Sequence, residues 1–488
     1  MTLFSRFPKD FVWGTATSSY QIEGAAEEGG RGPSIWDTFC AVPGNISNGD
    51  TGDIACDHYH HVDEDIRLMA QMGVKAYRFS ISWSRILPDG TSRSVNKEGV
   101  DFYNRVIDSC LKHGIQPWAT LYHWDLPQTL YENEDGWLGD SIVDRFADYA
   151  FVCFASFGDR VKNWITINEA WVASILGYGQ GVFAPGHTSN VEPYTVGHNL
   201  LLAHAKAVDV YRKGFQKQQN GQIGITNNCD WREPLTDCPE DRDAAQRALE
   251  FFVGWFADPI YLGDYPESMK QRVGDRLPKI TEQQRALIKG SSDFFGLNHY
   301  TTMLASEANG DVAEQAVYGN GGLSEDQGLD LSVDQNWKLT DMQWAVVPWG
   351  CRRLLEWIAE RYGNPDVYIT ENGCAYDADL IDGEVNDQNR IEFYASYLDE
   401  CAIAIENGVN LKGYFAWSFT DNFEWASGYE KRFGLHHVDF ETGARTPKES
   451  AKWFRALLTS STEGVELKTE GTRVQLPESS AKQDSNLT

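Results

Sequence analysis

The sequence predicts an α/β protein with a single parallel (β/α)8 barrel, the TIM-barrel fold, and with loop insertions at the C-terminal face of the barrel. Three observations predict this class. Eight short runs rich in β-branched and aromatic residues recur along the chain, helical patterns lie between them, and the runs are almost entirely apolar. Strands that are covered on both faces have such a composition, and eight of them alternating with helices favour a closed barrel.

The eight runs are predicted strands because turn or helix signals bound each of them. They span residues 11–17, 76–83, 116–124, 163–169, 221–228, 293–301, 366–373 and 411–419. Four intervening stretches have the apolar spacing of an amphipathic helix and end at a glycine, which predicts helices over 61–73, 98–114, 244–263 and 390–408. The stretch 306–341 contains many Gly and Asp residues and is predicted as a loop insertion on the barrel top.

One domain is predicted for residues 1–461, followed by a polar tail over 462–488. The length of 488 residues alone suggests about three domains, but a barrel with insertions can exceed roughly 400 residues. The tail shows no apolar periodicity, which is typical of a flexible or loosely attached segment.

Charge and cysteine content limit the partners and the compartment. The chain has 42 Lys and Arg against 71 Asp and Glu, a formal charge of −29, so neither nucleic acid nor an anionic membrane is expected as a partner. The start of the chain lacks an apolar signal core, and none of its nine cysteines forms a CxxC pair. These features favour a cytoplasmic protein with free thiols, expected to be a monomer or a weak homo-oligomer.

Polar side chains gather at the predicted C-terminal ends of the strands, where barrels of this type carry their chemistry. The stretches NWITINEA (163–170) and DVYITENG (366–373) each end in a glutamate beside an asparagine, Glu169 and Glu371. A single acid at a strand end is more often a helix cap or an ion-pair partner, but polar clusters at seven strand ends favour a shared pocket. The other clusters contain Gln21, Glu23, Arg78, His123, Trp124, Asp125, Asn298, His299, Tyr300, Trp417, Asp421, Glu424 and Trp425.

Two carboxyl groups that face a sugar can cleave a glycosidic bond, one as the nucleophile and the other as general acid and then base. A separation of about 5–5.5 Å gives retention of the anomeric configuration. Two acids this close do not both ionise easily, so the pKa of one of them rises. Arg78 is expected to keep the nucleophile charged. Most of the 17 Trp are expected to pack in the core, and a few to contact sugar rings.

With these residues in hand, the sequence resembles glycoside hydrolase family 1, the β-glucosidases and their relatives, and especially the intracellular fungal members. The resemblance extends from residue 11 to about Lys452 and rests on specific motifs: QIEG (21–24), RGPSIWD (31–37), YRFSISWSRI (77–86), YHWDLPQ (122–128), WITINE (164–169), YITENG (368–373) and WSFTDNFEW (417–425). It implies retaining hydrolysis of terminal β-D-glucosyl residues in cellobiose, short cello-oligosaccharides and aryl β-glucosides. It also implies glucosyl transfer to acceptors at high sugar concentration.

Carried over residue by residue, the resemblance implies that Glu169 is the acid/base and Glu371 the nucleophile, with Arg78 and Tyr300 holding the nucleophile. The positions implied to bind the sugar are Gln21, His123, Trp124, Asn168, Asn298, Tyr300, Trp417, Glu424 and Trp425. Trp171, Leu176 and Trp344 fall where family members build the access channel and the leaving-group subsite. Most relatives have a proline where this chain has Ala170.

Several alternatives stay open. A 6-phospho-β-glucosidase would bind an anionic sugar, which Glu424 and the charge of −29 oppose. A β-galactosidase-type specificity on the same fold is a second alternative, and a non-catalytic sugar-binding barrel, which would lack one of the paired acids, is a third. The stretch CDHYHHVDED (56–65) has Cys and His at metal-ligand spacing, but a solvated helix start is favoured. No metal or cofactor is expected, because paired carboxyl groups need none.

Overall fold

The computed structural model describes residues 3–308 and 324–463. Eight parallel strands close into a barrel in which each strand pairs with its neighbours in sequence and the first pairs with the last. The strands are β1 (Val12–Ala16), β2 (Ala76–Ser80), β3 (Gln116–Tyr122), β4 (Asn163–Asn168), β5 (Gln222–Asn228), β6 (Phe295–Asn298), β7 (Val367–Asn372) and β8 (Leu411–Trp417). The predicted fold class and all eight predicted strands are confirmed.

The inside of the barrel is filled by aromatic side chains from strands on opposite sides. The ring of Trp118 on β3 lies 4.8 Å from that of Tyr368 on β7 and 5.2 Å from that of Phe415 on β8. Glu371 follows Tyr368 by three residues, and Trp417 follows Phe415 by two. These rings therefore fill the barrel interior directly below the strand-end side chains and form an aromatic floor under them.

Helices surround the barrel and fill the connections between its strands. They are α1 (Ser19–Ile22), α2 (Ile35–Cys40), α3 (His58–Met72), α4 (Trp83–Ile86), α5 (Lys97–Lys112), α6 (Gln128–Glu134), α7 (Ile142–Phe157), α8 (Ala170–Tyr178), α9 (Glu192–Gly214), α10 (Gln216–Gln219), α11 (Pro239–Leu249), α12 (Trp255–Tyr261), α13 (Glu267–Val273), α14 (Glu282–Ile288), α15 (Ser324–Gln327), α16 (Pro348–Tyr362), α17 (Gln388–Glu406) and α18 (Glu449–Glu463). None of these helices is long and apolar enough to cross a bilayer.

Three of the four predicted helices form as α3, α5 and α17. The fourth, predicted over 244–263, is wrong as a single helix: α11 begins earlier, at Pro239, and a π-helical turn over Glu250–Gly254 separates it from α12. A π turn inserts one extra residue and so shifts the apolar spacing by one, but residues 251–260 are all buried and leave no polar face on which the shift would be visible. Periodicity alone therefore does not reveal the interruption.

The loop predicted over 306–341 is also wrong in part. Leu329–Ser332 is a strand that pairs antiparallel with Thr302–Glu307, which in turn pairs with Trp231–Pro234 in a small sheet outside the barrel. The insertion forms a strand because the edge of Thr302–Glu307 offers it backbone partners. Residues 309–323 lie outside the described residues. So does the predicted tail beyond Glu463, while its first two residues continue α18.

Candidate active site

A cavity opens at the C-terminal ends of the barrel strands. Twelve of the residues predicted for the site line it: His123, Trp124, Glu169, Trp171, Leu176, Asn298, Tyr300, Trp344, Glu371, Trp417, Glu424 and Trp425. The other three, Gln21, Arg78 and Asn168, are buried and hydrogen-bonded to residues of the wall. The structure thus brings these fifteen residues together, whereas their individual roles stay predictions. Four other residues of the predicted strand-end clusters do not line the cavity, namely Glu23, Asp125, His299 and Asp421. Glu23 instead pairs with Arg85, and Asp421 with Lys448.

Glu371, near the end of β7, is held by two donors from different strand ends. Arg78 Nη1 donates to Oε1 across 2.5 Å, and the Tyr300 hydroxyl donates to Oε2 across 2.6 Å. Burial raises the pKa of Glu371, whereas Arg78 and Tyr300 act to lower it. The pKa of Glu371 is still raised overall, but Arg78 and Tyr300 make its charged form less costly than burial alone would.

Glu169 lies just after β4 and precedes the first residue of α8. Its backbone adopts a left-handed conformation with φ of 49°, which costs about 1–3 kcal/mol for a residue with a side chain. Asn298 Nδ2 donates to Oε1 across 2.6 Å. Burial, followed by the negative charge of Glu371, raises the pKa of Glu169 well above its usual range. Of the two acids, Glu169 is therefore the one that keeps the proton.

The side chain of Asn168 connects the two acids. Its Oδ1 accepts from Arg78 Nη2 across 2.5 Å and from Asn298 Nδ2 across 3.0 Å. Its Nδ2 lies 3.1 Å from His123 Nε2. The donor to the nucleophile candidate and the donor to the acid candidate thus share one acceptor, which fixes their relative positions.

One end of the cavity is walled by aromatic rings in mutual contact. The His123 ring lies 5.9 Å from Trp417 and from Trp425, and Trp124 lies 4.5 Å from Trp425. Burial lowers the pKa of His123 well below its usual range, so the ring is neutral. This end offers flat apolar faces beside a hydrogen-bonding imidazole, as sugar rings require.

Glu424 adds a carboxyl group to the cavity wall. Burial and the nearby charge of Glu371 raise the pKa of Glu424 to about 8, while Gln21 acts to lower it. Gln21 Nε2 lies 3.4 Å from Oε2 of Glu424 and also donates to the carbonyl of Phe423. The position of Gln21 is thus coupled to the loop that carries Glu424.

Sequence reasoning missed part of the wall: Val172, Phe183, Asn228, Asp230, Phe252 and Phe433 also line the cavity. Asn228 is the last residue of β5, the one strand end to which no site residue had been assigned. Polar residues at the C-terminal ends of barrel strands indicate the site, and Asn228 and the nearby Asp230 meet this criterion as Glu169 and Glu371 do. Phe252 lies in the π turn and carries no comparable signal.

The residues of the 56–65 stretch do not converge on one point. His58 Nδ1 lies 2.7 Å from Asp65 Oδ2, and Arg445 Nε donates to the other oxygen of Asp65 across 2.8 Å. Cys56 Sγ donates to the carbonyl of Asp421 across 2.9 Å. Within the described part of the chain, no group of three or more His, Cys, Asp or Glu side chains is placed to hold a metal ion.

Two carboxyl groups that line one cavity, one bound by an arginine and the other with a raised pKa, are the pair of groups that glycoside hydrolysis requires. Comparison with known proteins places the chain among the glycoside hydrolases. The model of glycosyl hydrolase family 1 matches residues 3–463. The chain therefore belongs to glycosyl hydrolase family 1.

Relatives along nearly the whole length are β-glucosidases. Beta-glucosidase 42 of Arabidopsis thaliana is 48 % identical, over 93 % of this chain and 94 % of its own. Beta-glucosidase 1B of Phanerodontia chrysosporium is 47 % identical, over 94 % and 87 %. The structure of a rice β-glucosidase variant in a covalent complex with glucose is 45 % identical with a TM-score of 0.88, over 93 % and 98 %. The expectation of an enzyme of the β-glucosidase class is confirmed.

Proposed function

We propose that this β-glucosidase removes terminal, non-reducing β-D-glucosyl residues from cellobiose, short cello-oligosaccharides and aryl β-glucosides, with retention of the anomeric configuration. One observation carries the proposal: two buried carboxyl groups line one cavity and have different partners. Arg78 and Tyr300 donate to Glu371 and favour its charged form, whereas burial and the charge of Glu371 raise the pKa of Glu169. A retaining mechanism needs this pair, a carboxylate nucleophile and a carboxylic acid.

In the first step, the carboxylate of Glu371 attacks the anomeric carbon while Glu169 gives its proton to the glycosidic oxygen. The bond from the anomeric carbon to that oxygen breaks, the leaving group departs as an alcohol, and a glycosyl ester forms on Glu371. Arg78 and Tyr300, each bonded to a different oxygen of Glu371, position the attacking group.

In the second step, Glu169 acts as a base. Esterification removes the negative charge of Glu371, and this charge is the second-largest cause of the raised pKa of Glu169. The pKa of Glu169 therefore falls when the intermediate forms, and its carboxylate can take a proton from water as the water attacks the anomeric carbon. A sugar hydroxyl in place of water gives the expected glucosyl transfer.

The sugar is bound at the aromatic end of the cavity. We assign the ring faces to Trp417 and Trp425 and the hydroxyl contacts to His123, Glu424 and Gln21. Glu424 supplies no positive charge to a phosphate on the sugar, which speaks against a 6-phospho-β-glucosidase. β-Galactosides remain compatible with this wall. The presence of both acids in the cavity, each with its own hydrogen-bond partners, speaks against a barrel that only binds sugar.

All nine cysteines are free thiols, which supports the expectation of a reducing, cytoplasmic location. The expected monomer or weak homo-oligomer stays a prediction.

The proposal is tested by trapping the intermediate. A 2-deoxy-2-fluoro-β-glucoside with a dinitrophenyl leaving group should inactivate the enzyme, and mass spectrometry should find the fluoroglucosyl label on the peptide that contains Glu371. Glu371→Gln should stay unlabelled. A label on another residue would move the nucleophile, and no label on the active wild-type enzyme would argue for inversion.

A further inference from the structure

The orientation of the Asn298 side chain decides which group faces the acid/base candidate. Its Nδ2 donates to Oε1 of Glu169 across 2.6 Å and to Oδ1 of Asn168 across 3.0 Å. An amide turned by half a rotation would present its oxygen to Glu169 instead. That oxygen would accept a hydrogen bond from a protonated Glu169 and hold the proton away from the substrate. A group that keeps the amide in the observed orientation therefore affects proton transfer.

Thr370 is the residue that donates to the oxygen of this amide. Its hydroxyl donates to Oδ1 of Asn298 across 2.7 Å, and both side chains are fully buried. Thr370 lies on β7 directly before Glu371, whereas Asn298 is the last residue of β6. The two-step mechanism gives this hydroxyl no part, although only Asn298 separates it from the acid.

A second threonine sets the direction of the Thr370 hydroxyl. Thr226 Oγ1, on β5, donates to Thr370 Oγ1 across 3.1 Å. A hydroxyl that accepts from one neighbour can turn its own proton to the other, so Thr370 is the donor to Asn298. The sequence leaves room for this arrangement, because a Cβ atom at Gly296 on β6 would lie 2.5 Å from Thr226 Oγ1. Three neighbouring strands thus fix the direction of the hydrogen bond to Asn298.

The hydrogen bond from Asn298 also affects the place and the affinity of the proton on Glu169. Oε1 accepts from Asn298 and therefore takes the carbonyl part of the acid, which leaves the proton on Oε2. Burial and the charge of Glu371 raise the pKa of Glu169, the charge of Asp230 adds to this rise, and Asn298 and Arg78 act to lower it. Loss of the Asn298 donor would therefore raise this pKa further.

We propose that Thr370 is a positioning residue for the acid/base step, because its hydroxyl holds the amide of Asn298 in the orientation that donates to Glu169. This inference rests on the proposed function and adds a residue to its first step. With the hydroxyl in place, the proton passes from Oε2 of Glu169 to the glycosidic oxygen, which keeps the electron pair of the bond that breaks. Without it, Oδ1 of Asn298 is a buried acceptor that lacks a donor, and a protonated Glu169 can supply one.

The test compares Thr370→Val, which removes the hydroxyl and keeps the shape, with Thr370→Ser, which keeps the hydroxyl. The readout is the ratio of kcat/KM on cellobiose, whose leaving group needs a proton, to kcat/KM on 2,4-dinitrophenyl β-glucoside, whose leaving group does not. This ratio does not depend on the folded fraction. We expect it to fall about tenfold in Thr370→Val, the value of one lost hydrogen bond, and to stay within about twofold of wild type in Thr370→Ser.

The pH profile gives a second readout. Glu169 must carry its proton in the first step, so its pKa sets the alkaline limb of kcat/KM on cellobiose. Because the donor from Asn298 lowers this pKa, Thr370→Val should move the alkaline limb to higher pH.

Thr166→Val is the matched control. Thr166 is equally buried on β4, and its hydroxyl lies 2.7 Å from His204 Nδ1 and donates to the carbonyl of Gly224. Its replacement should change neither the ratio nor the alkaline limb. Asn298→Ala removes the amide through which Thr370 acts, so the addition of Thr370→Val to it should lower the ratio no further.

Equal losses on both substrates in Thr370→Val would show that Thr370 supports Glu371 or the fold, and would overturn the inference. The inference is also overturned if the alkaline limb stays in place, if Thr370→Ser loses as much as Thr370→Val, or if the double variant shows a further fall in the ratio. A wild-type protein that does not cleave cellobiose would instead overturn the proposed function.

Discussion

Arg78 donates from Nη1 to Oε1 of Glu371 across 2.5 Å, and the two residues are only 1 % and 3 % exposed. A buried ion pair of this kind contributes little to stability, because the cost of desolvation offsets the attraction. Here its consequence is chemical. The arginine favours the charged form of one of two acids that line the same cavity, and that charge raises the pKa of the other acid.

Replacement of Glu371 by Gln should abolish turnover. The amide does not form the glycosyl ester, and loss of a nucleophile costs on the order of 10⁴- to 10⁶-fold in kcat. Steady-state hydrolysis of 4-nitrophenyl β-glucoside measures the loss, with a melting curve to show that the variant is folded. Substantial activity in a folded Glu371→Gln protein would place the nucleophile elsewhere.

Replacement of Glu169 by Ala should slow turnover by about 10²- to 10⁴-fold on cellobiose and less on a nitrophenyl glucoside, whose leaving group needs little protonation. Azide should restore turnover of the nitrophenyl substrate, because a small anion can attack the ester once the base is gone. The glucosyl azide product should have the β configuration. If neither azide nor formate accelerates the variant, the assignment of Glu169 as the acid/base loses its support.

Replacement of Arg78 by Lys should move the acidic limb of the pH profile of kcat/KM to higher pH. Glu371 must be charged to attack, and Arg78 lowers the pKa of Glu371. Lysine has a single donor nitrogen in place of the two by which Arg78 binds Glu371 and Asn168, so it stabilises the charge less and raises that pKa. Activity should therefore fall more at acidic than at neutral pH. Arg353→Lys, at a more exposed ion pair with Glu233, is the control. Equal losses at all pH values would show that Arg78 acts only on structure.

Replacement of Glu424 by Gln should stabilise the fold at pH 8 more than at pH 5. The pKa of Glu424 is raised to about 8 in the folded protein, so the unfolded chain releases this proton at lower pH than the folded one. Ionisation of Glu424 therefore favours unfolding as the pH rises from about 4.5 to 8, and the amide removes this effect. Melting temperatures of both proteins across this range test the prediction. A constant difference between them would contradict it.

Replacement of Trp118 by Ala should destabilise the barrel by about 3–5 kcal/mol, because its ring contacts Tyr368 and Phe415 across the interior. Chemical denaturation measures the free energy of unfolding. Leu111, a 44 % exposed residue on α5, gives the matched control, since Leu111→Ala should change stability little. Equal losses in the free energy of unfolding would show that the aromatic rings inside the barrel stabilise the fold no more than an exposed side chain does.

The barrel was predictable because eight buried strands leave eight apolar runs, and Glu169 and Glu371 stood out because acidic residues end two of them. Asn228 and Asp230 are polar residues at the end of β5 in the same way, so the sequence alone also indicates them. Phe252 is different. It reaches the cavity from a π turn, and only the folded helix places it there.

The position of Ala170 in the fold shows what alanine changes where most relatives have proline. It is the first residue of α8, a position where proline is tolerated because the N–H there has no partner within the helix. A proline here would donate no hydrogen bond from its backbone nitrogen, so alanine loses no such contact. Alanine only makes the turn after Glu169 less stiff than proline would.

The most direct test of the account is proton NMR of the anomeric signals during hydrolysis of an aryl β-glucoside, recorded from the first minutes. If Glu371 forms an ester and Glu169 then activates water, β-glucose appears first and α-glucose follows only by mutarotation. If α-glucose appears first, water attacks directly, Glu371 acts as a base, and the double-displacement mechanism is contradicted.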